Sequence, residues 1–124
     1  MSSRGDNFSN LVSQDDLIRI DRTNLSLLKR HHLRLLIHCL ESLKAMTDQS
    51  ILEEFPSEAV RQEWLLSHPD LKNDKDFVHQ LLKQLSVAAE YLEILAAQIN
   101  KKPLLLTLDD LIDNAIQQER SNIL

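Results

Sequence analysis

The stretch DFVHQLLKQLSVAAEYLEILAAQIN, from Asp76 to Asn100, decides the fold. Val78, Leu85, Leu92 and Ile99 recur in it every seven residues, and Leu81, Leu82, Ala88, Ala89, Leu95 and Ala96 fill the intervals of three and four. Three heptads without proline or glycine are the pattern of a long helix with an apolar face. The pairs Ala88-Ala89 and Ala96-Ala97 are small, so a neighbouring helix should come closest there. Lys101 and Lys102 suit a helix C-terminus, where cations meet the negative end of the dipole, and Pro103 prevents continuation.

A second rod lies upstream. From Asn24 to Met46, Leu25, Leu28, Leu35, Leu36, Leu43 and Met46 recur at spacings of three and four, with His32 and Cys39 on the same stripe. Thr23 or Asn24 is placed to accept hydrogen bonds from the first exposed amides. Leu25, His32, Cys39 and Met46 repeat the seven-residue spacing of the downstream helix, so the two rods are expected to pack side by side and antiparallel.

Shorter elements fill the gaps. Thr47 and Asp48 end the first rod, and a short turn is expected around 49–55. Pro56 then opens a helix to about Ser67 with Val60, Trp64 and Leu65 inward, because a proline at the first helical position forfeits only an unpaired N–H. His68-Pro69 closes it, since the residue before a proline avoids the helical region. Residues 70–76 form a charged connection, and Leu104-Leu105-Leu106 an extended apolar one. Thr107-Leu108-Asp109-Asp110 resembles a capping box with Asp for the usual Glu or Gln, opening a helix over 107–120 with Leu108, Leu111, Ile112, Ala115 and Ile116 on one side. Residues 1–22 read as a flexible polar N-terminal arm with a short turn near Gln14 to Ile20; Arg4-Gly5-Asp6 belongs to it and carries no weight as an adhesion motif.

The expectation is an all-α fold: a small bundle of four main helices, near 24–46, 56–67, 76–100 and 107–120, forming one domain over residues 23–124 with the two long antiparallel helices as spine. A chain of 124 residues supports one modest core, and 43% apolar residues with only 4% aromatics builds it mainly from Leu, Ile, Val and Ala.

Composition also removes whole classes of function. Gly5 is the only glycine, so neither a phosphate-cradling loop nor a dinucleotide fingerprint can be written, and no cofactor is expected. The single cysteine, Cys39, excludes an internal disulfide and points to a reducing compartment. No N-terminal apolar stretch resembles a signal peptide and no run is long enough to span a bilayer, so a cytoplasmic protein without a membrane partner is expected. The net charge is −5, and it sits in the second part: residues 1–46 hold seven Arg or Lys against five acids, residues 47–124 seven against fourteen. That balance argues against nonspecific nucleic-acid binding, which depends on clustered cations.

Five histidines are the tempting residues, and three of them, His31, His32 and His38, share one helix. His31 and His38 are seven apart, about 10 Å along a helix, too far to ligate one ion. No metal site is expected. His32 reads as a partly buried neutral imidazole and Cys39 as a small buried hydrophobe. An acidic helical protein with mid-helix histidines resembles the histidine phosphotransfer domains of bacterial signalling, which implies His79 or His38 as phosphoacceptor. Those domains carry Lys three residues after the His and then Gly, whereas His79 precedes Gln80, Leu81, Leu82 and Lys83, and His38 has Lys44 six residues on.

Arg22, Lys29, Arg30, His31 and Arg34 form a basic cluster, with Arg30, His31, Arg34 and His38 opposite the leucine stripe. It reads first as a solvated face and second as a dock for an acidic protein; aromatic residues to stack on bases are missing from it. Glu53, Glu54, Glu58 and Glu63 read as the wet side of a short amphipathic helix.

What remains is a surplus of apolar material beyond what two paired helices need: the leucine stripes on the two long helices, with Phe55, Trp64, Leu104, Leu105, Leu106, Ile123 and Leu124. Some completes the core, and the rest marks a surface for another protein, with Trp64 as anchor. The sequence therefore points to a non-catalytic interaction module, an adaptor or regulatory subunit that binds a partner protein through apolar helix faces, with homodimerisation through the long helices as one form of that binding. A histidine phosphotransfer protein and a structural subunit of a larger helical assembly are the alternatives.

Overall fold

The computed structural model describes residues 11–47 and 54–123, with side chains described through Ser121. The order of elements is α1 (Gln14–Asp21), α2 (Leu27–Ala45), α3 (Glu58–Leu66), α4 (Lys75–Gln98), a 3₁₀ turn (Pro103–Leu105) and α5 (Leu108–Ile123). Among the described residues there is no strand, and no helix is long and apolar enough to cross a membrane. The described residues are all-helical as expected, with five α-helices among them where four main helices were expected. The expected turn at 49–55 falls mostly outside the described residues.

The added helix is α1, in the segment read as an arm. Ser13 caps it by accepting from the Asp16 N–H at 3.1 Å, and Asp15 and Asp16 lie in its first turn, where negative charge meets the positive end of the dipole. Ile20 is fully buried beneath it. Arg34 of α2 reaches the Asp21 carboxylate at 2.9 Å, Arg30 donates to the Asp21 carbonyl at 3.2 Å, and Arg19 pairs with Asp109 of α5. One buried isoleucine and polar ties at the helix end replace the apolar stripe that would have announced this helix. Residues 1–10 of the expected arm lie outside the described residues.

In α2 the cap is Ser26, which accepts from the Lys29 N–H at 3.2 Å, while Thr23 donates to the Ile20 carbonyl and closes α1. The buried face is Leu33, Leu36, Ile37, Cys39, Leu40 and Leu43, whereas Leu28 and Leu35 are exposed. The core stripe is thus rotated from the one read by heptads. Leu33, Leu36, Ile37 and Leu40 are themselves three and four apart, so α2 carries two overlapping apolar stripes and tertiary packing selects between them.

The caps of α3 and α4 are Ser57 and Asp74. Leu65 is fully buried, Trp64 packs partly against the core and Val60 is largely exposed. Past the end of α3, His68 is buried, with Nδ1 2.9 Å from the Trp64 carbonyl oxygen and its ring edge-on to Trp64 at 4.2 Å. Leu71, inside the charged connection, is also buried. In α4 the expected face is inside: Val78, Leu85, Ala88, Ala89, Leu92, Leu95 and Ala96 are all buried, and only the last heptad position, Ile99, is exposed.

The end of α4 needs a left-handed residue, and Asn100 supplies it with φ 59°. The Lys101 N–H then reaches back to the Ala96 carbonyl at 2.8 Å and the Asn100 N–H to that of Ala97 at 3.3 Å. Asparagine is the side chain that tolerates this conformation in a chain with no glycine nearby. The capping box forms reciprocally: Thr107 N–H donates to Asp110 at 2.9 Å and Asp110 N–H to Thr107 Oγ1 at 3.3 Å.

Packing centres on α2. It lies against α4, α5, α1 and the 3₁₀ turn, while α3 packs on α4. The turn is pinned where Lys44 donates to the Leu106 carbonyl at 2.6 Å.

Candidate functional site

Two apolar stripes on α2 leave one unused by the core, and α4 has the same property. Besides its buried heptad face, α4 carries Gln80, Gln84, Val87, Tyr91 and Ile94 at intervals of three and four. The two unused stripes meet along a groove of about 580 Å³ between the helices. His32, Leu35, Leu36 and Cys39 line it from α2, and His79, Gln80, Lys83, Gln84, Val87, Ala88 and Tyr91 from α4. Val87 keeps 68% of its surface in solvent and Leu35 42%. The same stripes continue past the groove as Ile94, 61% exposed, and Leu28, 78% exposed. Leu35 and Val87 thus face water in the groove, and Leu28 and Ile94, seven residues along the same two helices and outside its lining, are exposed as well.

The groove is locked at one end by Tyr91. Its ring meets His32 edge-on at 5.7 Å, and its hydroxyl accepts from Asn114 Nδ2 at 2.9 Å and donates to Gln118 at 3.4 Å, both on α5. His32 is exposed, where the sequence predicts a partly buried imidazole, yet the desolvation it does undergo, then the charge of Lys29 and of His31, lowers its pKa, so it stands neutral at neutral pH. Burial pushes the Cys39 thiol up to about 11, so the floor carries a protonated, apolar sulfur in place of a nucleophile.

Charge around the groove departs from that of the chain. Among the lining residues there is no carboxylate; the cation is Lys83 and the imidazoles are His32 and His79. This holds on a protein with 19 Asp and Glu against 14 Lys and Arg. Among the described residues no cluster of three or more His, Cys, Asp or Glu could hold a metal ion.

The residues singled out from sequence are distributed as follows. Leu104 and Leu106 are buried in the core, Leu105 between them is exposed, and Phe55 and Trp64 pack partly against the core. The side chains of Ile123 and Leu124 lie outside those described. In the basic cluster, Arg30 and Arg34 bind Asp21 at the end of α1, and His31 is exposed. His38 is half-buried, and burial lowers its pKa. His79 is exposed on the groove rim, one turn before Lys83. The structure therefore places the two histidines named as phosphoacceptors on different helices. Leu28, Leu35, Val87 and Ile94 are the surface residues that the sequence reading passed over or assigned inward. Their signal was the pairing of Leu28 with Leu35 and of Val87 with Ile94, each seven apart and off the core register.

Residues 12–122 of the 124 match the family described as NDH complex assembly factor CRR9. The chain belongs to that family of assembly factors. No curated protein and no solved structure matches the chain.

Proposed function

We propose that this member of the CRR9 family acts in assembly of the NDH complex by holding a protein of that complex, or of one of its intermediates, in the groove between α2 and α4, without a chemical step of its own. The observation that carries this reading is the set of exposed aliphatic side chains, Leu28, Leu35, Val87 and Ile94, presented on two helices whose other faces are committed to the core. Soluble proteins rarely expose such apolar surface unless something covers it.

Magnitudes favour a contact that forms and releases. Fully burying a Val, Leu or Ile side chain gains about 1.5–3 kcal/mol, which sets a ceiling of roughly 6–12 kcal/mol for the four. Association costs about 4–15 kcal/mol in lost freedom, the same order as that ceiling, so these four side chains fit a reversible contact.

The test is complementation. In the source organism with this gene removed, assembled NDH complex is quantified on native gels after return of the wild type or of L35D/V87D. Wild type should restore the complex and the double variant should not, although circular dichroism shows it helical. Restoration by both would overturn the reading.

A further inference from the structure

Resting on that reading, we infer that the occupant of the groove is an amphipathic helix of the partner protein, about three turns long, whose apolar stripe is flanked by carboxylates.

The shape of the walls selects a helix. An extended segment gains its affinity by adding to the edge of a sheet, and both walls here are helices whose backbone groups are already paired within themselves. A polyproline segment needs a floor of aromatic rings, and the groove offers Tyr91 alone. What the walls do offer is rows of side chains at intervals of three and four, into which the ridges of a third helix fit. The α4 wall runs from His79 to Tyr91, about 18 Å at 1.5 Å per residue, or a little over three turns.

The charge of the rim selects the flanks. Lys83 and His79 stand on the α4 side, and no carboxylate lines the groove. An approaching carboxylate therefore meets the Lys83 ammonium and no carboxylate of the lining, while an approaching lysine meets like charge at Lys83.

The experiment uses the full chain and three fluorescent peptides of equal length. One is a helix with leucines at spacings of three and four flanked by Glu; the second has Lys for each Glu; the third scrambles the first. Anisotropy should show the Glu peptide binding at least tenfold tighter than either other, with affinity falling as salt rises. L35D/V87D should lose that binding. K83E, an exposed change that leaves the core alone, should weaken the Glu peptide and strengthen the Lys peptide. Equal affinities for all three peptides, no binding of the Glu peptide, or a wild-type dimer that L35D/V87D converts to monomer would each overturn the inference. The two readings fail separately: if L35D/V87D abolishes complex assembly while peptide charge is irrelevant, the groove stands and the partner chemistry falls. If L35D/V87D supports assembly, the groove reading falls whatever the peptides do.

Discussion

Asp110 concentrates several local interactions in one carboxylate. Its Oδ2 accepts from the Thr107 N–H, the Thr107 hydroxyl and Lys101 Nζ at 2.7 Å, joining the end of α4 to the start of α5. Burial alone would raise its pKa, but the hydrogen bonds from Lys101 and Thr107 outweigh burial and hold the carboxyl below the usual carboxylate value. A carboxyl whose pKa is lower folded than unfolded contributes stability above its unfolded value, about 3.9, and loses it as pH falls through the folded value. Asp110→Asn should therefore cost about 1–2 kcal/mol in urea unfolding at pH 7, the scale of a lost cap and charged hydrogen bond. The gap from wild type should close as pH drops below about 4. Cys39 gives a second prediction at this scale: with its thiol buried and its pKa pushed up to about 11, it should resist alkylation at pH 7.5 in the native protein and react fully once unfolded. The Thr107 to Asp110 box was legible in the sequence because four adjacent residues determine it. His32, expected to be partly buried, is exposed, and its contact with Tyr91 was not legible because 59 residues separate them.

Among the elements, legibility followed how far one helix depended on others. The heptads of α4 name their own buried face, and Val78, Leu85 and Leu92 are inside as read. Helix α2 has apolar residues on more than one side, so the periodicity admitted two faces; α5, α1 and the 3₁₀ turn decide for Leu33, Ile37 and Leu40. Helix α1 was read as a turn in an arm because Ile20 is the single residue it buries completely. If α1 belongs to the cooperative fold, Ile20→Ala should lower stability by about 2–5 kcal/mol in a single unfolding transition, the range for truncating a buried Ile. A loss near zero, or a separate early transition, would return this helix to the arm.

At the scale of the molecule, the sequence places surplus apolar material on the leucine stripes of the two long helices, at Phe55 and Trp64, along Leu104 to Leu106 and at Ile123-Leu124. Leu104 and Leu106 are buried and Leu105 is exposed, and the groove beside Leu35 and Val87 is built from residues that look like ordinary members of long helices. Exposure is a property of what the other elements leave uncovered, and no single helix encodes it. The same holds for charge, since an acidic chain with a pI near 5.4 lines this groove without one of its carboxylates.

The most direct test of the docking face is photocrosslinking in the source organism, with a photoreactive amino acid placed at Val87 in one strain and at Gln62, on the outer side of α3, in another. The account predicts a discrete covalent adduct from position 87 that contains a protein of the NDH complex, and none from position 62. An adduct from position 62 with none from position 87 would place the partner on a different face and contradict the account.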